Sequence, residues 1–178
     1  SSDLKKLKMP SEYYSFMKKN WVFVFLNTNE IAAYSNVVGT AKEQELLRIQ
    51  NQIKVNKEIQ GARWNGGVSS RQLQWLDNLL KKSEKKNRNV LIFCHHPLYP
   101  RSQFTALNNM EILDVINRYN CVKAIFSGHH HSGAFGYFDH IPCNTVEGMI
   151  ETPDKNSFGI VRIYKDRIEL EGKERMTS

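Results

Sequence analysis

A chain of 178 residues, 40% of them hydrophobic, is long enough to bury the core of one ordinary globular domain. Its formal charge of +7 suits an anionic partner, but the basic residues are scattered through "KKLK", Lys18–Lys19 and "KKSEKK", which read as solvated loops and helix ends, so no nucleic-acid partner is expected. The longest apolar runs, "WVFVFL" and "VLIFC", fall far short of the roughly 20 residues that a membrane-spanning helix needs, so no membrane partner is expected either.

The chain opens on "SSDLKKLKMP", with neither an initiator methionine nor a secretory pattern, and reads as an internal cut in a longer polypeptide. After a short amphipathic lead-in around Tyr13, Tyr14 and Phe16, "WVFVFLNT" is rich in β-branched and aromatic residues and predicts a buried strand. From Ala41 to about Ile59 helix formers carry a sparse apolar stripe, which predicts a helix packed by one face. "WNGG" breaks the chain, and "SSRQLQWLDNLLKK" starts a strong helix. Ser69 is its expected cap, Gln72 the capping-box partner, and Leu73, Leu76, Leu79 and Leu80 the buried stripe. "NVLIFC" predicts an inner strand covered on both faces, ended by the prolines of "HHPLYP". A helix from Asn108 to Tyr119 leads to a second such strand, "CVKAIFS", and "FGIVRIY" with "RIELEG" predicts a terminal β-hairpin. Cys94, Cys121 and Cys143 are scattered, odd in number and set among apolar neighbours, which fits reduced core thiols and a cytoplasmic setting.

Two histidine clusters, "HHP" at His95–Pro97 and "GHHH" at Gly128–His131, each follow a buried strand immediately. Strands joined by a helix are usually parallel and adjacent, so both clusters are expected at one sheet edge, facing each other across a crevice. Neutral imidazoles on rigid strand ends make good transition-metal ligands. His129 and His131, two residues apart, can project to one side while His130 points away, with Gly128 giving the backbone room to turn. The same reasoning does not separate His95 from His96. A Cys/His structural zinc site is disfavoured because no cysteine pair has C-x-x-C spacing.

"IFCHHPLYP" and "FSGHHHSG" resemble the last two metal motifs, H-x-P and G-H-x-H, of the calcineurin-like metallophosphoesterases. Together with "WNGGVSSRQLQWLDNLL" and "NTVEGMIETPDKNSFGIVRIY" they are similar to the manganese-dependent ADP-ribose/CDP-alcohol diphosphatase group. The resemblance runs in order from about Trp21 to Gly172. It implies an α/β fold, namely the C-terminal half of a four-layer αββα sandwich with a mixed sheet and a terminal hairpin. Residues 1–178 would be the C-terminal portion of one metallophosphoesterase domain. The family's D-x-H, G-D-x-x-D and G-N-H-D/E motifs do not occur in this sequence, so the expected partner is an N-terminal half of the same domain, and this half alone should be inactive.

The mapping assigns His95 and His129 to one metal and His131 to the other, and leaves His96 and His130 at variable positions. The implied cofactors are two divalent ions, manganese first, with iron or zinc as alternatives. The implied reaction is hydrolysis of a phosphoanhydride bond in a nucleoside diphosphate derivative. A phosphomonoesterase or phosphodiesterase, or a non-catalytic scaffold of the same fold, is the alternative. Trp64, Asn65 and Gly66, with Tyr99, Arg101 and Asn108, are candidate contacts to the small nucleotide substrate, against a competing assignment of Trp64 and Tyr99 to packing and Arg101 to solvent. Glu147 and Glu151 follow a strand and could orient a ligand histidine or close a loop, with structural roles favoured.

Overall fold

The computed structural model describes Leu4, Lys6 and residues 8–176. Its centre is a six-stranded mixed sheet of order β1-β2-β5-β6-β8-β7, built from β1 (Tyr14–Lys18), β2 (Trp21–Phe25), β5 (Asn89–Phe93), β6 (Val122–Ser127), β7 (Ala134–Phe138) and β8 (Ile141–Thr145). Strands β2, β5, β6 and β8 run parallel, and β1 and β7 are antiparallel edges. The parallel inner strands therefore all end at one edge of the sheet, where ligands bind in open α/β folds.

Alternation along β2 divides its side chains between two faces. Val22 and Val24 join the main core with Val90, Ile92, Val122 and Ile125, under helices α2 (Ser70–Lys85) and α3 (Asn109–Ile116). Leu76 and Leu80 of α2 are essentially inaccessible, and Leu73, Leu79 and Trp75 pack beside them, as the stripe predicts. Each fully buried leucine stabilises the fold by about 1.5–3 kcal/mol. The opposite face is aromatic. Trp21, Phe23 and Phe93 cluster with Leu91, Ala124 and Phe126, and the terminal hairpin of β9 (Ser157–Ile163) and β10 (Ile168–Glu174) covers part of them with Val161, Ile163, Ile168 and Leu170. Beyond the hairpin a ladder of stacked rings continues to the β1 edge, through Phe93–Phe25 at 5.0 Å and Phe25–Tyr14 at 4.9 Å.

The lead-in around Tyr14 and Phe16 is thus a true edge strand, β1. Helix α1 (Ala41–Val55) buries only Leu46, Ile49 and Ile53, against Ile31 and Leu107, and stops at Asn56, short of the predicted Ile59. A two-residue ladder between β3 (Ile31–Ala32) and β4 (Gly66–Gly67) ties the "WNGG" turn to the loop after β2. Ser69 caps α2 by accepting from the Gln72 N–H, but the capping box is closed differently from the prediction. Glu30 accepts the Ser69 N–H at 3.1 Å, while the Gln72 amide reaches to Asn27 and Glu30, pinning the end of β2 to the start of the helix. Cys94, Cys121 and Cys143 are unpaired, and burial pushes their thiols up to about 12, 12 and 11. No described helix is long and apolar enough to cross a membrane.

Candidate metal centre

His95 follows β5 and His129 follows β6, and the parallel pairing of these strands brings the two imidazoles together. His95 Nε2 lies 3.1 Å from His129 Nδ1. Two imidazole nitrogens on one cation, with bonds of about 2.0–2.1 Å, stand roughly 2.9 Å apart at a right angle and roughly 3.4 Å apart at the tetrahedral angle. The pair is therefore already spaced as ligands of a single ion.

The backbone reaches this geometry through His129 itself, which takes a left-handed φ of +64°. That conformation is unusual for a residue with a Cβ and is commonest at functional sites. Gly128, expected to supply the turn, has no positive φ. Burial holds the His129 imidazole down at about 4, aided by His95, His131 and His130, and burial with His131 also lowers His95. Both rings are therefore neutral near pH 7, as ligation requires.

Among the described residues the tight group of candidate ligand atoms is His95, His96 and His129, all within 4.8 Å. His96 is nevertheless built into the protein. It is fully buried, its Nδ1 lies 3.0 Å from Thr28 Oγ1, and its Nε2 accepts the Gly66 N–H at 3.2 Å. Accepting that N–H leaves Nε2 unprotonated and assigns the proton to Nδ1. Burial, then His129 and His95, push this imidazole down to about 3. His130 stacks on Phe104 at 4.6 Å and lies outside the group, and so does His131, which the alternation argument placed with His129.

His131 is among the neighbours that lower His95 and His129. Its ring lies on Gly148, where a Cβ would come within 2.8 Å of it, so only glycine permits the approach. The Gly148 N–H donates to the His131 carbonyl at 3.0 Å, and the Arg175 guanidinium donates to the carbonyls of both residues. His131 Nδ1 meets Glu151 Oε1 at 2.5 Å. A carboxylate on Nδ1–H fixes the tautomer and leaves Nε2 free to ligate.

A model of the calcineurin-like phosphoesterase family matches residues 4–133. The chain belongs to the calcineurin-like phosphoesterase family. Among its curated relatives are two proteins named manganese-dependent ADP-ribose/CDP-alcohol diphosphatase. The one from Bos taurus is 32% identical over 186 residues, covering 94% of this chain and 55% of the relative; the one from Homo sapiens is 31% identical over 190 residues, covering 94% and 54%. The crystal structure of a dimetal phosphatase from Danio rerio matches with a TM-score of 0.82 and 29% identity, over 92% of this chain and 58% of that one. The chain thus spans about half the length of the curated relatives it matches. The six-stranded mixed sheet lies within the part of the chain that matches the fold of that dimetal phosphatase.

The six candidate substrate contacts divide by position. Trp64 has a half-exposed side chain, and its carbonyl lies 3.4 Å from His96 Nε2. Asn65 is buried behind His129 and its Oδ1 faces that ring at 3.0 Å. Gly66 is buried and bonded through its N–H to His96 and through its carbonyl to Leu107. Tyr99 packs on the core beside Phe138, and Arg101 pairs with Glu58 at 3.3 Å. Asn108 has both ends of its amide on the Val68 backbone, and a third bond to Glu111. Of these six, the structure brings only Trp64, Asn65 and Gly66 to the histidines, the last two from behind. Thr28 and Phe104 are site neighbours that no sequence motif marks.

Replacing Glu151 by alanine should weaken the metal dependence of the full-length protein about tenfold, the low end for a group supporting a ligand, because the pair is half exposed. A manganese titration of activity reads this as a rise in the half-saturating metal concentration, and an unchanged midpoint would remove Glu151 from the site.

Proposed function

We propose that the full-length protein hydrolyses the phosphoanhydride bond of a nucleoside diphosphate derivative of the ADP-ribose or CDP-alcohol type, with two divalent cations and manganese as the native choice. The observation that carries this reading is the approach of His95 Nε2 to His129 Nδ1 at 3.1 Å, in a chain whose relatives are named for that activity. His95 and His129 would hold one cation, and His131, through the nitrogen opposite Glu151, the other. When bound, such ions neutralise phosphate charge and supply a nucleophilic water near neutral pH. The histidines contribute neutral, rigidly held nitrogens; Trp64, half-exposed and with its carbonyl 3.4 Å from His96 Nε2, offers a ring to a substrate base.

The tight ligand group contains no carboxylate among the described residues, and a charge-balanced pair of divalent ions needs several. We assign those to an N-terminal half of the same domain. Its docking face is the aromatic ladder that the hairpin leaves uncovered, where Phe16, stacked on Phe23 at 4.8 Å, is 47% exposed. The three unpaired thiols suit a cytoplasmic setting.

The test is a screen of the full-length protein with manganese against ADP-ribose, CDP-choline, an aryl phosphate and its bis-ester. Turnover of the two pyrophosphates, lost in the variant His131→Ala, is the expected result. Turnover of the aryl esters alone would overturn the substrate class and keep the family chemistry. Failure of all four, with no metal bound, would leave a scaffold of this fold.

A further inference from the structure

The loop before α2 carries a buried amide whose donors are both bonded to backbone carbonyls and whose oxygen faces the His129 ring. Asn65 is 1% exposed. Its Nδ2 donates to the Gln60 carbonyl at 2.8 Å and to the Gln103 carbonyl at 2.7 Å, using both amide protons. Two carbonyls cannot donate, so the amide has one workable orientation, with Oδ1 turned the other way. There it meets His129 Nε2 at 3.0 Å. An amide oxygen only accepts, so Nε2 must carry the ring proton, and Nδ1, the atom 3.1 Å from His95 Nε2, is left with its lone pair exposed.

We infer that Asn65 is a positioning residue that fixes the tautomer and ring orientation of His129, so that Nδ1 is presented to the metal. This rests on the metal reading given above. The device is relayed from two loops: the turns at Gln60 and Gln103 orient the amide, and the amide orients the imidazole. Both loops are remote from His129 in sequence, the Asn65–His129 separation alone being 64 residues. Nδ1 is also the nitrogen nearer the backbone, at a residue whose φ is left-handed. Asn65 does not touch substrate in this role, and its loss acts through His129.

Two substitutions separate this role from simple loop support. Asn65→Leu and Asn65→Asp both remove the donors to the Gln60 and Gln103 carbonyls, but only the aspartate keeps an oxygen opposite His129 Nε2. The full-length protein is titrated calorimetrically with zinc alone, and the tautomer of His129 is read from nitrogen chemical shifts of 15N-histidine-labelled, metal-free protein, its signals assigned by their disappearance in His129→Gln. The leucine variant should bind zinc about 10–100-fold more weakly than wild type, the usual cost of losing a group that orients a ligand. It should also show a measurable Nδ1–H population, whereas the aspartate variant keeps the Nε2–H form and recovers most of the affinity. Equal losses in both variants, or a leucine variant within threefold of wild type, would overturn the inference. If the wild type binds no zinc, or His129→Gln binds it as tightly, the metal reading itself fails, and the nitrogen shifts still report whether Asn65 sets the tautomer.

Discussion

Full-length protein carrying His129→Ala loses manganese-dependent hydrolysis by a factor of about 10³ or more, while His130→Ala stays within a few-fold of wild type. The contrast follows from two adjacent rings with different surroundings. His129 presents Nδ1 to His95 and is held from behind by Asn65, whereas His130 stacks on Phe104 outside the ligand group. Removing a nitrogen that would hold the cation should forfeit several kcal/mol of charge stabilisation in the transition state, and each 1.36 kcal/mol is about tenfold in rate. The backbone contributes if the alanine variant, without the ring that holds it in place, relaxes out of the left-handed φ of +64°, whose penalty of about 1 kcal/mol any residue with a Cβ carries. His129→Gly removes that penalty without restoring the nitrogen. Equal collapse of the alanine and glycine variants, measured as kcat/KM at saturating manganese, therefore assigns the loss to the ligand. Recovery of activity in the glycine variant would assign it to the turn and sink the ligand role.

What could be read in advance followed the strength of local patterns. Strands β2, β5 and β6 were legible because they are short apolar runs ended by turn residues, and their parallel order followed from the helices between them. Strand β8 was legible only as the strand before Glu147, interrupted by Pro142, and its partner β7 was hidden by Gly136, a residue that argues against strands. In the structure Gly136 is required because the Tyr99 ring and Pro100 lie against it, a contact invisible to any local pattern. The same divide runs through the site. Histidines placed at the ends of buried strands announced themselves, but alternation grouped His131 with His129, whereas the tight group among the described residues holds His129 with His95 and His96. His95 and His96 could not be parted that way, and it is the Thr28 and Gly66 contacts that occupy His96. Asn65 read as a candidate substrate contact because the "WNGG" turn could approach the crevice and offer an amide to a nucleotide diphosphate. Its actual surroundings depend on Gln60 and Gln103 meeting in space, which no spacing rule encodes.

Gly66→Ala should cost about 3 kcal/mol of stability, at the upper end for overpacking a tight site. A Cβ there would stand 2.3 Å from the Thr28 carbonyl oxygen, a backbone atom that cannot swing aside, and 3.2 Å from both Ala32 Cβ and the Tyr34 hydroxyl. Relief requires separating the β3–β4 ladder, and that motion carries the Gly66 N–H away from His96 and drags neighbouring Asn65 from His129. The substitution should therefore lower metal affinity as well as the melting temperature, although position 66 need touch neither metal nor substrate. For domains of this size each kcal/mol moves the melting temperature by about 2–4 °C, so a fall of roughly 10 °C is expected. Gly128→Ala is the internal control. Its added Cβ would meet only the His95 carbonyl oxygen, at the ordinary contact distance of 3.8 Å, and its φ is not positive. That variant should stay within about 0.5 kcal/mol of wild type. Thermal melts of the two variants decide the matter: comparable destabilisation at both positions would mean that general glycine content, and not the close backbone approach at Gly66, holds the site together.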